Sequence, residues 1–173
     1  QMLLAKIYVN GIGINKNLTK AYTAALLAGA MGHMEAADLL TQIEKDISAD
    51  QIFNLQKNAL NVWEKSEDSL HLTRKRNSAF AGDLSAMRQL AMGYQRGLRL
   101  PRNYSKAYVW ANLAVAAGDK ISETIRADIL SASMEYGLLS GMQISNAQET
   151  ATKLWVERVG KSLIKNMNKE KAN

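Results

Sequence analysis

Apolar residues recur at helical spacing along most of the chain, and no segment alternates apolar with polar residues strictly enough to predict a strand. The clearest stretch is Leu84–Arg96, where Leu84, Met87, Leu90, Ala91 and Tyr94 share one helical face. Gly97 ends it, because glycine takes a positive φ without steric cost. Pro101 blocks helix through the next few residues, and Asn103 is placed to cap a second helix over Tyr104–Ala117, which Gly118 ends. The same order appears earlier in the chain with Gly11, Asn17 and Gly32. Third helices are expected at Glu35–Lys45 and about Ser122–Tyr136. Fourth helices open on capping boxes, Ser48 with Gln51 and Ser140 with Gln143, reinforced by the apolar pairs Ile47/Ile52 and Leu139/Ile144. Ile52, Leu55, Ala59, Val62 and Trp63 then predict one buried face. Ile144, Ala147, Ala151, Leu154 and Trp155 predict its counterpart.

This parallel is a sequence repeat. Shifted by 86 positions, 13 of the 29 residues from Leu4 to Gly32 are identical to their partners, among them Tyr8/Tyr94, Gly11/Gly97, Asn17/Asn103 and Lys20-Ala21-Tyr22/Lys106-Ala107-Tyr108. The fourth helices align at a shift of 92, as in Gln56/Gln148 and Trp63/Trp155, so six extra residues fall within 119–138 of the second copy. The expected organisation is a first half at 1–66, a polar segment 67–77, a second half at 78–160 and a basic tail at 161–173. Residue 1 then falls inside a helix of the first copy. The polar segment, with Arg74-Lys75-Arg76, reads as either an exposed helix or a connector. Helix pairs joined by short connections pack antiparallel, and such pairs bury their apolar faces by stacking on one another. The fold class is therefore all-α, an α-solenoid of about eight helices.

Leu90-Ala91-x-x-Tyr94-x-x-Gly97, followed by Asn103-x-x-Lys106-Ala107-x-x-Trp110 and by Ala114-x-Ala116-Ala117-Gly118, resembles the Sel-one-like repeat, a relative of the tetratricopeptide repeat. Leu4-Ala5-x-x-Tyr8-x-x-Gly11-x-Gly13, with Lys20-Ala21 and Ala28-x-Ala30-x-Gly32, is similar to a second copy. Two departures stand out: Arg99 replaces the second turn glycine that the first copy keeps as Gly13, and Ala24 stands where the second copy has Trp110. The resemblance implies an adaptor or scaffold for other proteins. It also implies a bacterial source and a periplasmic or secreted location.

Composition narrows the chemistry. With no Cys there is no disulfide framework, no zinc–thiolate site and no catalytic thiol. The two histidines, His33 and His71, have no matching ligands nearby in sequence, so no metal or other cofactor is expected. The carboxylate pairs Glu44/Asp46 and Glu67/Asp68 fall at helix ends or connectors. Gly11-Ile12-Gly13 follows a helix rather than a strand and lacks a third glycine, which argues against a dinucleotide loop. A non-enzymatic role and no small-molecule substrate are the expectation. No apolar run approaches the roughly 20 residues of a membrane-spanning helix.

Charge is the feature that points to a partner. Residues 1–86 carry nine cations and nine anions, whereas residues 87–173 carry thirteen and seven, so the whole net charge of +6 lies in the second half. Arg88, Arg96, Arg99, Arg102 and Lys106 form one stretch without an acidic residue. The chain is expected to bind another protein, an acidic one, with nucleic acid or an acidic glycan as the alternative partner. In related repeats the first helix of each pair lines the concave face, which gives Lys6, Val9 and Asn10, matched by Met92, Gln95 and Arg96, as contact residues. Arg99, Arg102 and Lys106 join them from the basic turn.

Overall fold

The structure, a computed structural model, describes residues 1–171. Four helices form the first unit: α1 (Met2–Asn10), α2 (Leu18–Ala30), α3 (Glu35–Glu44) and α4 (Ala49–Trp63). A 3-10 turn at Glu67–Ser69 leads into α5 (Leu70–Phe80). The second unit repeats the order with α6 (Leu84–Arg96), α7 (Tyr104–Ala116), α8 (Lys120–Tyr136) and α9 (Gly141–Leu154). A π-helical turn, Trp155–Val159, carries the chain into α10 (Gly160–Lys171). The architecture is an α-solenoid of antiparallel helix pairs. In each unit the Ala-rich second helix is the hub: α2 packs on α1, α3 and α4, and α7 packs on α6, α8 and α9.

The described residues hold ten α-helical segments rather than about eight, because the polar segment after residue 66 is helical and the tail continues as helix. Helix α5 carries only two buried side chains, Leu72 and Ala79, so its sequence shows little helical periodicity. One correction concerns Val62. It was placed on the buried face of α4 but is exposed, while Leu60 takes the inward position. Two residues of the tail, 172 and 173, lie outside the described part.

Local signals account for the boundaries. Gly11 and Gly97 both end their helices at φ 69. Asn17 Oδ1 accepts from the Lys20 amide and Asn103 Oδ1 from the Lys106 amide, each at 2.9 Å. Both capping boxes form. The extra residues of the second copy lengthen α8 to 17 residues against 10 in α3.

The two units meet at a seam built on an absent side chain. A Cβ on Gly29 of α2 would sit 2.1 Å from the Gly97 carbonyl oxygen, so only glycine admits this approach. The Arg99 amide then donates to the Gly29 carbonyl at 2.8 Å, a backbone bond from the turn of one unit to the hub helix of the other. Leu100 is buried beside it. On the far side, Phe80 of α5 packs against Trp110 with ring centroids 5.2 Å apart, and Arg158 lies 4.9 Å over the Phe80 ring.

A candidate interaction groove across the seam

Below the seam lies a buried polar cluster. Tyr22 Oη donates to Glu44 Oε1 at 2.5 Å, and Gln56 Nε2 donates to Tyr22 Oη at 2.8 Å. Tyr104 contributes its hydroxyl to Glu44 Oε2 at 2.8 Å and its amide to Gln56 Oε1 at 3.0 Å. Arg102 enters the same space. Its guanidinium donates to Glu44 Oε2 and Thr41 Oγ1 at 3.1 Å each, to the Ala37 carbonyl at 3.0 Å and to the Arg96 carbonyl at 3.2 Å. Both ion-pair partners keep only 5% of their side-chain surface exposed. Burial lowers the basicity of Arg102, but Tyr104, Glu44 and Tyr22 raise it by more, so the guanidinium stays charged. Burial, then the adjacent Glu44 carboxylate, pushes the Tyr22 hydroxyl well above its ordinary value. Tyr104 shifts the same way, chiefly by burial. Arg102 Nε is buried without a hydrogen-bond partner, while the other contacts of the cluster are internal and join the two units.

Above the seam the two units enclose an open groove of about 1200 Å³. The C-terminal end of α2 and the start of α3 supply Met31 and Met34, α5 supplies Leu70, His71, Arg74 and Lys75, and α6 with its following turn supplies Met92, Arg96, Leu98 and Arg99. Met31, Met34 and Leu70 are largely exposed. Four cations line the groove, Arg74, Lys75, Arg96 and Arg99, against two carboxylates, Glu67 and Asp68. None of the four cations forms an ion pair with another described residue.

The contact residues expected from sequence are thus divided. Met92, Arg96 and Arg99 line the groove. Gln95 is half-buried on α6 and lies outside the lining. Lys6 pairs with Glu35 at 2.7 Å, Asn10 donates its side-chain amide to the Lys6 carbonyl, and Val9 packs against the core, all on α1. Lys106 is exposed on α7, away from the groove, where partial burial and the nearby Arg76 depress its basicity. Arg102 is a correction. Expected at a partner surface, it is buried, because Glu44 and two backbone carbonyls draw it into the seam. Arg88 is also engaged, donating through Nε and Nη2 to both carboxylate oxygens of Asp119 at 3.0 and 2.7 Å. Sequence reasoning missed Met31, Met34, Leu70 and His71. The Arg74-Lys75-Arg76 run was the one signal for that wall. Even so, Arg76 turns away to Glu64 and Tyr94.

His71 meets Trp63 edge-on at 5.8 Å, and His33 is exposed. Among the described residues no three His, Cys, Asp or Glu side chains gather as a metal site would need. No helix among them is long and apolar enough to cross a membrane.

The Sel1 repeat family model matches residues 1–33 and 84–119, the α1–α2 and α6–α7 pairs with their turns. Two stretches of this chain are thus similar to the Sel1 repeat. The two matched stretches are not contiguous, since α3, α4 and α5 lie between them. No curated protein matches the chain. Among solved structures it is similar to a protective antigen present in uropathogenic Escherichia coli strains, which displays an SLR fold. The likeness has a TM-score of 0.47 at 21% identity, over 96% of this chain and 39% of that one.

Proposed function

We propose that this Sel1-repeat chain is a non-enzymatic protein-interaction module, and that its contact face is the groove between α2, α5 and α6. One observation carries the reading: an open groove with exposed Met31, Met34 and Leu70 and four unpaired cations spans the junction of two units. Methionine is flexible and polarisable and fits partners of varied shape. Family resemblance supports the same role. The alternative, a surface for an anionic polymer over the whole basic half, is weakened because Arg88 is engaged by Asp119 and Arg102 by Glu44. Nucleic-acid surfaces usually gather Lys and Arg into a patch or stripe on one face, and these two engagements take residues out of it.

A photo-crosslinking amino acid in place of Met31 or Leu70 tests the groove against Met142, a methionine on α9 that is at least as exposed. Protein adducts from Met31 and Leu70 but not from Met142 are expected. Equal adducts from all three positions would remove the groove as the contact face.

A further inference from the structure

We infer that the groove accepts a peptide segment of a partner protein that carries carboxylates beside apolar side chains, and that Arg99 is the residue that reads its carboxylates. The inference rests on the groove being the contact face proposed above. The turn after α6 needs a left-handed residue at position 99, where φ is 62. At the matching place in the first unit the chain uses Gly13, at φ 71. Arg99 is the one non-glycine residue with positive φ among those described. A side chain in that conformation is strained, and strain of this kind persists where the surroundings fix the backbone and the side chain has a task. The surroundings here are the Arg99–Gly29 backbone bond and buried Leu100. The side chain lines the groove together with Arg74, Lys75 and Arg96.

Two features select the occupant. Guanidinium groups bind carboxylates through paired hydrogen bonds, and four unpaired cations against two carboxylates leave the lining positive. Met31, Met34, Met92, Leu70 and Leu98 offer apolar area that a purely ionic polymer leaves unused. Single-stranded nucleic acid stacks its bases on aromatic rings. No Phe, Tyr or Trp lines this groove.

The test uses the whole chain and two short synthetic peptides of Glu, Leu and Met, identical except that Gln replaces every Glu in the second. Binding is read by fluorescence anisotropy at low and moderate salt, and by methyl NMR of Met31, Met34 and Met92. The Glu peptide should bind, lose affinity as salt rises and shift those three methyls, with the Gln peptide at least about tenfold weaker. Arg99→Gly should weaken the Glu peptide about fivefold while leaving the melting temperature unchanged or higher, since glycine relieves the strained turn. Arg99→Glu should weaken it further. Equal binding of the two peptides, or unchanged affinity in Arg99→Gly, would overturn the inference. So would a heparin or oligonucleotide probe that outcompetes the Glu peptide through Arg99. If neither peptide binds while Met31 and Leu70 still crosslink to protein, acidic recognition fails and the interaction module stands. Loss of both removes both.

Discussion

The two units carry the same hydrogen bond and use it differently. In the first, Gln56 Nε2 donates to Tyr22 Oη at 2.8 Å, and in the second Gln148 Nε2 donates to Tyr108 Oη at 3.1 Å. The first pair lies under the turn of the next unit, where Glu44, Arg102 and Tyr104 complete a closed network. The second pair has no such cover, and Gln148 is exposed. The hub helices differ to match. Gly29 of α2 lets a carbonyl approach its Cα, whereas its counterpart in α7 is Val115. Glu44 closes α3, whereas Tyr136 closes α8 and is exposed. The repeat therefore supplies a template, the tyrosine–glutamine bond, and a few substitutions turn it into a joint at one place only. Joining the units is what the buried tyrosines, glutamate and arginine do.

Swapping the two hub residues breaks this contrast most directly. Gly29→Val puts a Cβ where a carbonyl oxygen already sits, and its cost should exceed about 3 kcal/mol, seen as a large fall in melting temperature or failure to fold. Val115→Gly should cost only about 1 kcal/mol, the ordinary helix penalty. Comparable losses from both would mean that the seam does not depend on the bare Gly29 backbone.

Next in size is the buried ion pair. Glu44→Gln leaves Arg102 charged and without a counter-ion, and should destabilise by about 3–5 kcal/mol in denaturant titrations. The double change Glu44→Leu with Arg102→Met should recover much of that loss. A double variant as weak as the single would assign the effect to packing instead of charge.

A smaller contrast separates the glutamines. Gln56→Leu orphans the Tyr104 amide and one hydroxyl contact and should cost about 1–3 kcal/mol. Gln148→Leu, at an exposed position, should change stability by less than about 0.5 kcal/mol. Equal values would show that the cover over the first pair adds nothing.

The mildest effect is in alkali. Tyr22 and Tyr104 have folded-state values raised above the unfolded tyrosine value of about 10. With a raised folded value, the stabilisation is complete below about pH 10 and declines as pH rises further, because the unfolded chain loses its protons first. Wild-type melting temperature should therefore fall between about pH 9.5 and 11. Tyr22→Phe should fall less steeply over that window, and parallel curves would disconnect the joint from tyrosine ionisation.

What the sequence made legible was local. Capping boxes, helix-ending glycines and the spacing of Leu84, Met87, Leu90, Ala91 and Tyr94 act within a few residues and mark the elements directly. The repeat then supplied the order of packing. The contact residues were less legible, because a turn has no periodicity to assign its side chains to faces. Arg96, Arg99, Arg102 and Lys106 read as one basic patch, yet Arg96 and Arg99 line the groove, Arg102 is internal and Lys106 lies elsewhere. The fate of Arg102 was set by Glu44, 58 positions away. Helix α5 was ambiguous for the opposite reason, since its two buried residues leave almost no hydrophobic stripe.

The bond from the Arg99 amide to the Gly29 carbonyl has a thermodynamic consequence for any occupant of the groove. It ties backbone to backbone, so the position of the turn after α6 against α2 is set when the chain folds. The main chain of the receptor has little conformational freedom left to surrender on docking, and the adjustable part is confined to methionine and arginine side chains. Most of the entropy lost in forming a complex therefore falls on the incoming segment, and the more ordered that segment is beforehand, the tighter this groove holds it.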